Sequence, residues 1–128
     1  MNYVSGEEVL FLHSEIINVT GGLHGVRDTH LFLSIIEKPK QEIGGERLYP
    51  TIFDAAAAQL EGFARYHVFL DGNKRTAFAV AVRLLALNGH DFNASNDEVV
   101  SFMVEAAQGV VDQEQISAWL KKHSKNLS

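Results

Sequence analysis

The chain has 128 residues, 11 Lys plus Arg against 16 Asp plus Glu, and a formal net charge of -5. That length fits one compact domain, residues 1–128, able to bury about two-thirds of its unfolded surface without metal or disulfide support. The absence of cysteine excludes thiolate nucleophiles, zinc fingers and iron–sulfur clusters and fits a reducing cytoplasm, while the acidic balance argues against direct nucleic-acid binding.

The N-terminus lacks the basic and apolar regions of a signal peptide, and no apolar run reaches the ~18–20 residues of a membrane span. Apolar spacing is helical nearly throughout, so the expected fold is an all-α bundle. Ser5 with Glu8 forms a capping box that opens a first helix over residues 6–17, with Val9, Leu12 and Ile16 on its inner stripe and Gly21-Gly22 as its stop. Asp28 caps a second helix through Leu31, Ile35 and Ile36, which should end before Pro39. Between Pro39 and Pro50, Glu42-Ile43 and Glu46-Arg47-Leu48 flank Gly44-Gly45, and this reads either as a two-residue hairpin or as a surface loop. Pro50 suits the first turn of a third helix that turns Phe53, Ala57, Leu60 and Ala64 inward and Asp54, Glu61 and Arg65 outward, ending near Tyr66. A fourth helix over residues 74–87 stops at Gly89; ten of the eleven residues 77–87 are apolar, which places it at the centre of the bundle. Ser95 or Asn96 opens a fifth helix ending at Gly109, and Asp112 with Gln115 opens a sixth that turns Ile116, Trp119 and Leu120 inward.

Chemistry concentrates between the third and fourth helices, in His67-Val68-Phe69-Leu70-Asp71-Gly72-Asn73-Lys74-Arg75-Thr76. Asn73 is a natural N-cap, which would leave the first N–H groups of the fourth helix free where the helix dipole favours an anion. Lys74 and Arg75 add two full positive charges, and Gly72 lets the backbone approach closely. Basic residues in a first turn oppose the dipole by about 0.3–1 kcal/mol each, so the pair is unfavourable unless an anion compensates. Asp71 offers one hard oxygen ligand, the usual way magnesium is held beside phosphates. His67 is the nearby group able to take a proton from a hydroxyl near neutral pH. Together these are the parts of phosphoryl transfer: an anion cradle, a metal ligand and a base.

Residues 67–75 resemble the Fic/Doc superfamily signature H-x-F-x-[D/E]-[A/G]-N-[K/G]-R at every position. They look more like the Doc branch, the death-on-curing toxins, because Lys74 stands where Fic enzymes have a second glycine and Phe78 where they have a second arginine. The resemblance extends to Gly21-Gly22-Leu23-His24-Gly25-Val26-Arg27-Asp28 and to Leu48-Tyr49-Pro50. It implies a toxin of a type II toxin–antitoxin module, a kinase using ATP and magnesium that moves the γ-phosphoryl group to a threonine of elongation factor Tu and so blocks translation. On this reading His67 is the base and Asp71 holds magnesium. Gly72, Asn73 and Lys74 meet the nucleotide phosphates, and Arg75 stabilises charge on the transferring group. The segment between Pro39 and Pro50 corresponds to a flap that aligns the target peptide by strand addition, with Ile43 and Leu48 as its contact residues. The implied partner is a Phd-like antitoxin acting in trans. The alternatives are a Fic-type nucleotidyltransferase and a non-catalytic partner-binding member of the fold.

Other candidates are weaker. Arg65 has a helical neighbour, Glu61, at i−4 that would account for it structurally. Ser101 and Glu105 match five positions of the inhibitory pattern [S/T]-x-x-x-E-[G/N] found in some Fic proteins, a match short enough to arise on any solvated helix face. His13, His24, His30, His90 and His123 have no metal-ligand spacing and are assigned no role.

Overall fold

A computed structural model of the chain describes residues 1–127. Helix α1, Gly6–Thr20, opens where Ser5 Oγ accepts from the Glu8 N–H at 3.1 Å, but the expected capping box is only half formed, because the Glu8 carboxylate accepts from Arg83 Nε at 2.7 Å. It runs on to Thr20 rather than ending at Ile17, because the stop is the Gly21 turn, whose N–H returns to the Ile17 carbonyl at 2.8 Å. Its buried stripe is Val9, His13 and Ile17, rotated from the expected row of Val9, Leu12 and Ile16. Helix α2, Thr29–Glu37, is capped by Asp28 as expected. Its α geometry ends before Pro39, but a 3-10 turn, Lys38–Lys40, carries the chain through the proline. There Pro39 occupies a first-turn position whose N–H has no partner to lose.

The hairpin forms. Strand β1, Glu42–Ile43, pairs antiparallel with β2, Glu46–Arg47, through Gly44 and Gly45 at φ 60° and 82°, the mirror-image turn that matches strand twist. Helix α3, Ile52–Arg65, starts two residues later than a first-position Pro50 would place it. Thr51 and Asp54 exchange side-chain and backbone hydrogen bonds in a capping box, so Pro50 lies outside the helix.

Helix α4 covers Asn73–Leu87, α5 covers Asn96–Gln108 with Ser95 as its cap, and α6 covers Gln113–Lys122 with Asp112 and Gln115 in a capping box. The outer face expected of α3 is in fact an α6 interface. Ser117 Oγ donates to Asp54 at 2.9 Å and Gln113 Nε2 donates to Glu61 at 3.0 Å, so neither carboxylate simply faces solvent. The sequence reading contains no counterpart of β3, His90–Phe92, and β4, Ser124–Asn126, an antiparallel pair that ties the C-terminal segment to the end of α4. Three-residue strands are too short to show a period of two; this pair is held by its ladder and by Phe92 packing on Trp119 at 5.0 Å.

The core is centred on α4 and on α3 beside it. Four consecutive alanines, Ala55, Ala56, Ala57 and Ala58, are fully buried and let the two backbones approach closely. On α4 the buried residues are Thr76, Ala77, Val80, Ala81, Leu84 and Leu85. The opposite face of this apolar helix stays open: Phe78 and Val82, with Ile16, Val99, Val100 and Val104, line a groove of about 830 Å³ that reaches Lys74 and Arg75 at the start of α4. No helix among the described residues is long and apolar enough to cross a membrane.

Truncating the centre and the groove separates the two faces. Leu84→Ala is expected to lower the unfolding free energy by about 2–5 kcal/mol. Val100→Ala, at a site 56% exposed, should cost less than about 0.5 kcal/mol in the same urea titration.

Candidate active site

Tyr66 ends α3, and His67 follows in the left-handed region at φ 50°, a conformation that costs an L-residue roughly 1–2 kcal/mol. Val68 and Phe69 then enter the core. The Phe69 ring lies 4.0 Å from His13, 5.8 Å from Phe63 and 6.0 Å from Phe32, centroid to centroid. The backbone of Phe69 is held as firmly as its ring: its N–H donates to Asn73 Oδ1 at 2.9 Å and its carbonyl accepts from Asn73 Nδ2 at 3.0 Å. Asn73 is therefore not the N-cap. That position belongs to Gly72 at φ 76°, and Asn73 is the first helical residue, its amide folded back to close the loop. A Cβ on Gly72 would also lie 3.0 Å from Ile17, so both conformation and space require glycine there. With its amide oxygen and one Nδ2 hydrogen committed to Phe69, Asn73 keeps its backbone N–H and its second amide hydrogen for an anion.

A second loop, residues 21–28, clamps the first. The N–H groups of Arg27 and Asp28 both donate to the Val68 carbonyl, at 2.8 and 3.1 Å, and the Leu70 N–H donates to the Gly25 carbonyl at 3.1 Å. Arg27 Nη1 donates to the carbonyl of the left-handed His67 at 3.2 Å. The Leu23 N–H donates to Asp71 Oδ2 at 2.7 Å, and a Cβ on Gly22 would come within 3.0 Å of Asp71 Cβ, so glycine permits this approach. From α1, His13 Nε2 donates to the Asp71 carbonyl at 2.8 Å.

What the two loops present is a reactive edge. His67, Asp71, Lys74 and Arg75 are exposed, and among the described residues the side chains of His67, Lys74 and Arg75 make no hydrogen bond or ion pair. The first backbone bond of α4 runs from the Thr76 N–H to the Gly72 carbonyl, leaving the N–H groups of Asn73, Lys74 and Arg75 without helical partners. Aligned peptide dipoles and two cations thus meet at one helix end, and no anion among the described residues pairs with them. Among the described residues no group of three His, Cys, Asp or Glu could hold a metal by itself. Asp71 has one carboxylate oxygen on Leu23, and a single carboxylate with waters and nucleotide oxygens is the donor set that suits magnesium.

His67, Asp71 and Gly72 lie in the loop and Asn73, Lys74 and Arg75 in the first turn of α4, while Ile43 and Leu48 are 69% and 43% exposed on and beside the hairpin. Arg65 does not pair with Glu61. Its guanidinium stacks near the Tyr66 ring at 5.7 Å and packs against Gly109, where the carbonyl end of α5 favours a cation. Ser101 and Glu105 rim a shallow depression with Phe102 and Trp119 that shares no residue with the groove, so they lie on a solvated face. The sequence reading assigns His13 no role, and in it Leu23 and Arg27 carry only the family resemblance of residues 21–28, with no role in the site. For His13 a signal existed, a histidine four residues after Val9 and four before Ile17 on one buried row.

Among the described residues this loop and the helix start that follows it join an exposed imidazole, a clamped carboxylate and a basic helix N-terminus, a set of groups suited to binding an anion. Comparison with known proteins defines the family. The chain matches the Fic/DOC family over residues 3–85. It is 37% identical over 120 residues to Toxin Doc of Mycolicibacterium smegmatis, covering 92% of this chain and 90% of that protein. It is 32% identical over 122 residues to Protein kinase doc of Escherichia phage P1, covering 95% of each. The chain belongs to the Fic/DOC family.

The Asn73 amide is the closure of the loop. Asn73→Ala removes both bonds to Phe69 and is expected to cost about 1–3 kcal/mol in denaturant unfolding. Asn73→Asp keeps the acceptor for the Phe69 N–H and should lose less than Asn73→Ala.

Proposed function

We propose that the chain is the toxin of a toxin–antitoxin pair and a protein kinase that moves the γ-phosphoryl group of ATP to a threonine of a translation protein, elongation factor Tu, in the cytoplasm. The observation that carries this reading is the exposed, unpartnered His67 in the same loop as a helix N-terminus where Lys74 and Arg75 have no counter-ion. The names of the two relatives, a toxin and a protein kinase, support it.

In this reaction the target hydroxyl oxygen attacks the γ-phosphorus while the bond to the bridging oxygen of ADP breaks. His67 accepts the hydroxyl proton at an imidazole nitrogen. Arg75 and the free amides of residues 73–75 bind the equatorial oxygens on which charge is spread, and Lys74 holds the neighbouring phosphate. Gly72, left-handed and packed against Ile17, sets the turn from which these amides face the phosphates. Asp71 would hold magnesium, whose chemistry here is to neutralise phosphate charge. The hairpin offers the target an exposed strand edge, flanked by the apolar side chains of Ile43 and Leu48.

The groove beside α4 supplies the regulation. It is apolar along most of its length and ends at Lys74 and Arg75, so an amphipathic helix carrying an acidic residue at one end would fill it and cover the anion cradle. The tail of a Phd-type antitoxin, which folds on binding, is the occupant this reading assigns to the groove.

With ATP labelled at either phosphate, label is expected to reach elongation factor Tu only from the γ position, and His67→Ala should abolish transfer without unfolding the protein. Label arriving from the α position would replace the kinase reading with nucleotidyl transfer. Val100→Glu with Val104→Glu should release the antitoxin in a pull-down by more than about tenfold, the order expected for charges placed in an apolar helix groove, while transfer continues.

A further inference from the structure

Of the six histidines, His13 is the one withdrawn from solvent, 3% exposed, on the inner row of α1 between Val9 and Ile17. A leucine would pack there without the cost of burying a polar ring, so the core alone does not explain the choice. The ring makes one hydrogen bond, Nε2 to the carbonyl oxygen of Asp71 at 2.8 Å; a carbonyl only accepts, so Nε2 carries the proton. The face of the same ring stacks on Phe69, 4.0 Å between centroids and 12° from parallel. His13 thus touches the motif loop at two points, on either side of Leu70.

The carbonyl contact has a geometric consequence. In a trans peptide the C=O and N–H vectors are antiparallel, so drawing the Asp71 carbonyl in toward α1 turns the Gly72 N–H the other way. No hydrogen bond of that N–H occurs among the described residues, and it immediately precedes the free amides of residues 73–75. The same anchor fixes the backbone from which the Asp71 carboxylate reaches the Leu23 N–H at 2.7 Å.

We propose that His13 is a positioning residue of the site: its Nε2–H bond to the Asp71 carbonyl sets the orientation of the Asp71 carboxylate and adds the Gly72 N–H to the phosphate-binding amides. The inference rests on the phosphate and metal reading of this loop, and the test separates the two. His13→Phe keeps the stack on Phe69 and removes the donor; His13→Gln keeps a donor and removes the stack. Amide hydrogen exchange at Leu23, magnesium–ATP affinity by calorimetry and thermal unfolding are measured for both.

The expected result is that His13→Phe folds, exchanges faster at Leu23 while the α3 amides stay protected, and binds magnesium–ATP more weakly by about 10–100-fold, the range seen when an outer partner of a metal ligand is removed. His13→Gln should restore both. Wild-type exchange and affinity in His13→Phe overturns the proposal, as does an equal loss in both variants that follows thermal stability alone. If His13→Phe does not fold, His13→Gln decides: protection at Leu23 with the stack gone upholds the hydrogen bond, and its loss refutes it. If the wild-type protein itself does not bind magnesium–ATP, the functional reading fails, and the positioning role is judged on Leu23 exchange alone.

Discussion

The immobilisation of Phe69 is the constraint on which the site depends. Its ring is locked among His13, Phe32 and Phe63, and both backbone polar groups are bonded to the amide of Asn73. A buried backbone N–H and C=O must find partners, and Asn73 supplies both from the first helical residue of α4, so the loop and the helix start become one rigid unit. With Phe69 fixed, the chain on one side must leave the core through a left-handed His67. On the other side it must turn at Gly72, from which α4 starts.

Electrostatics explains why that surface is poised for a ligand. The chain is acidic overall, yet no carboxylate pairs with Lys74 or Arg75 among the described residues. The positive end of α4 repels both cations, and the one carboxylate of the motif is turned to the Leu23 N–H in the neighbouring loop. An incoming polyanion relieves this repulsion and satisfies the orphan amides together.

The groove follows from the same helix. A helix that is apolar all round needs cover all round, and in this fold α3 covers one face of α4 while another stays open between α1 and α5. That open face runs on to Lys74 and Arg75 at the start of α4, so the apolar groove and the basic helix end are continuous.

Local rules alone fixed much of this protein. Capping at Ser5, Asp28, Ser95 and Asp112, the Gly44-Gly45 turn, and the helical period around Leu60 and Leu84 were all legible, because each depends on residues within a turn or two of one another. The chemistry-bearing loop was legible too, since a base, an acid and two cations between apolar helices have little use in a core. The arrangement of that loop was not. Asn73 serves as a loop clamp instead of a cap because Phe69 is buried beside it, and burial is a property of the packed chain. His13 entered the site because α1 rotated its i, i+4 row inward, and Arg27, Leu23 and Gly25 joined it through backbone bonds made across some 40 to 48 residues of sequence. Residue identity determines which groups are available, but only tertiary contact determines which carbonyls and amides remain to be satisfied, and those unmet groups drew the second loop onto the first.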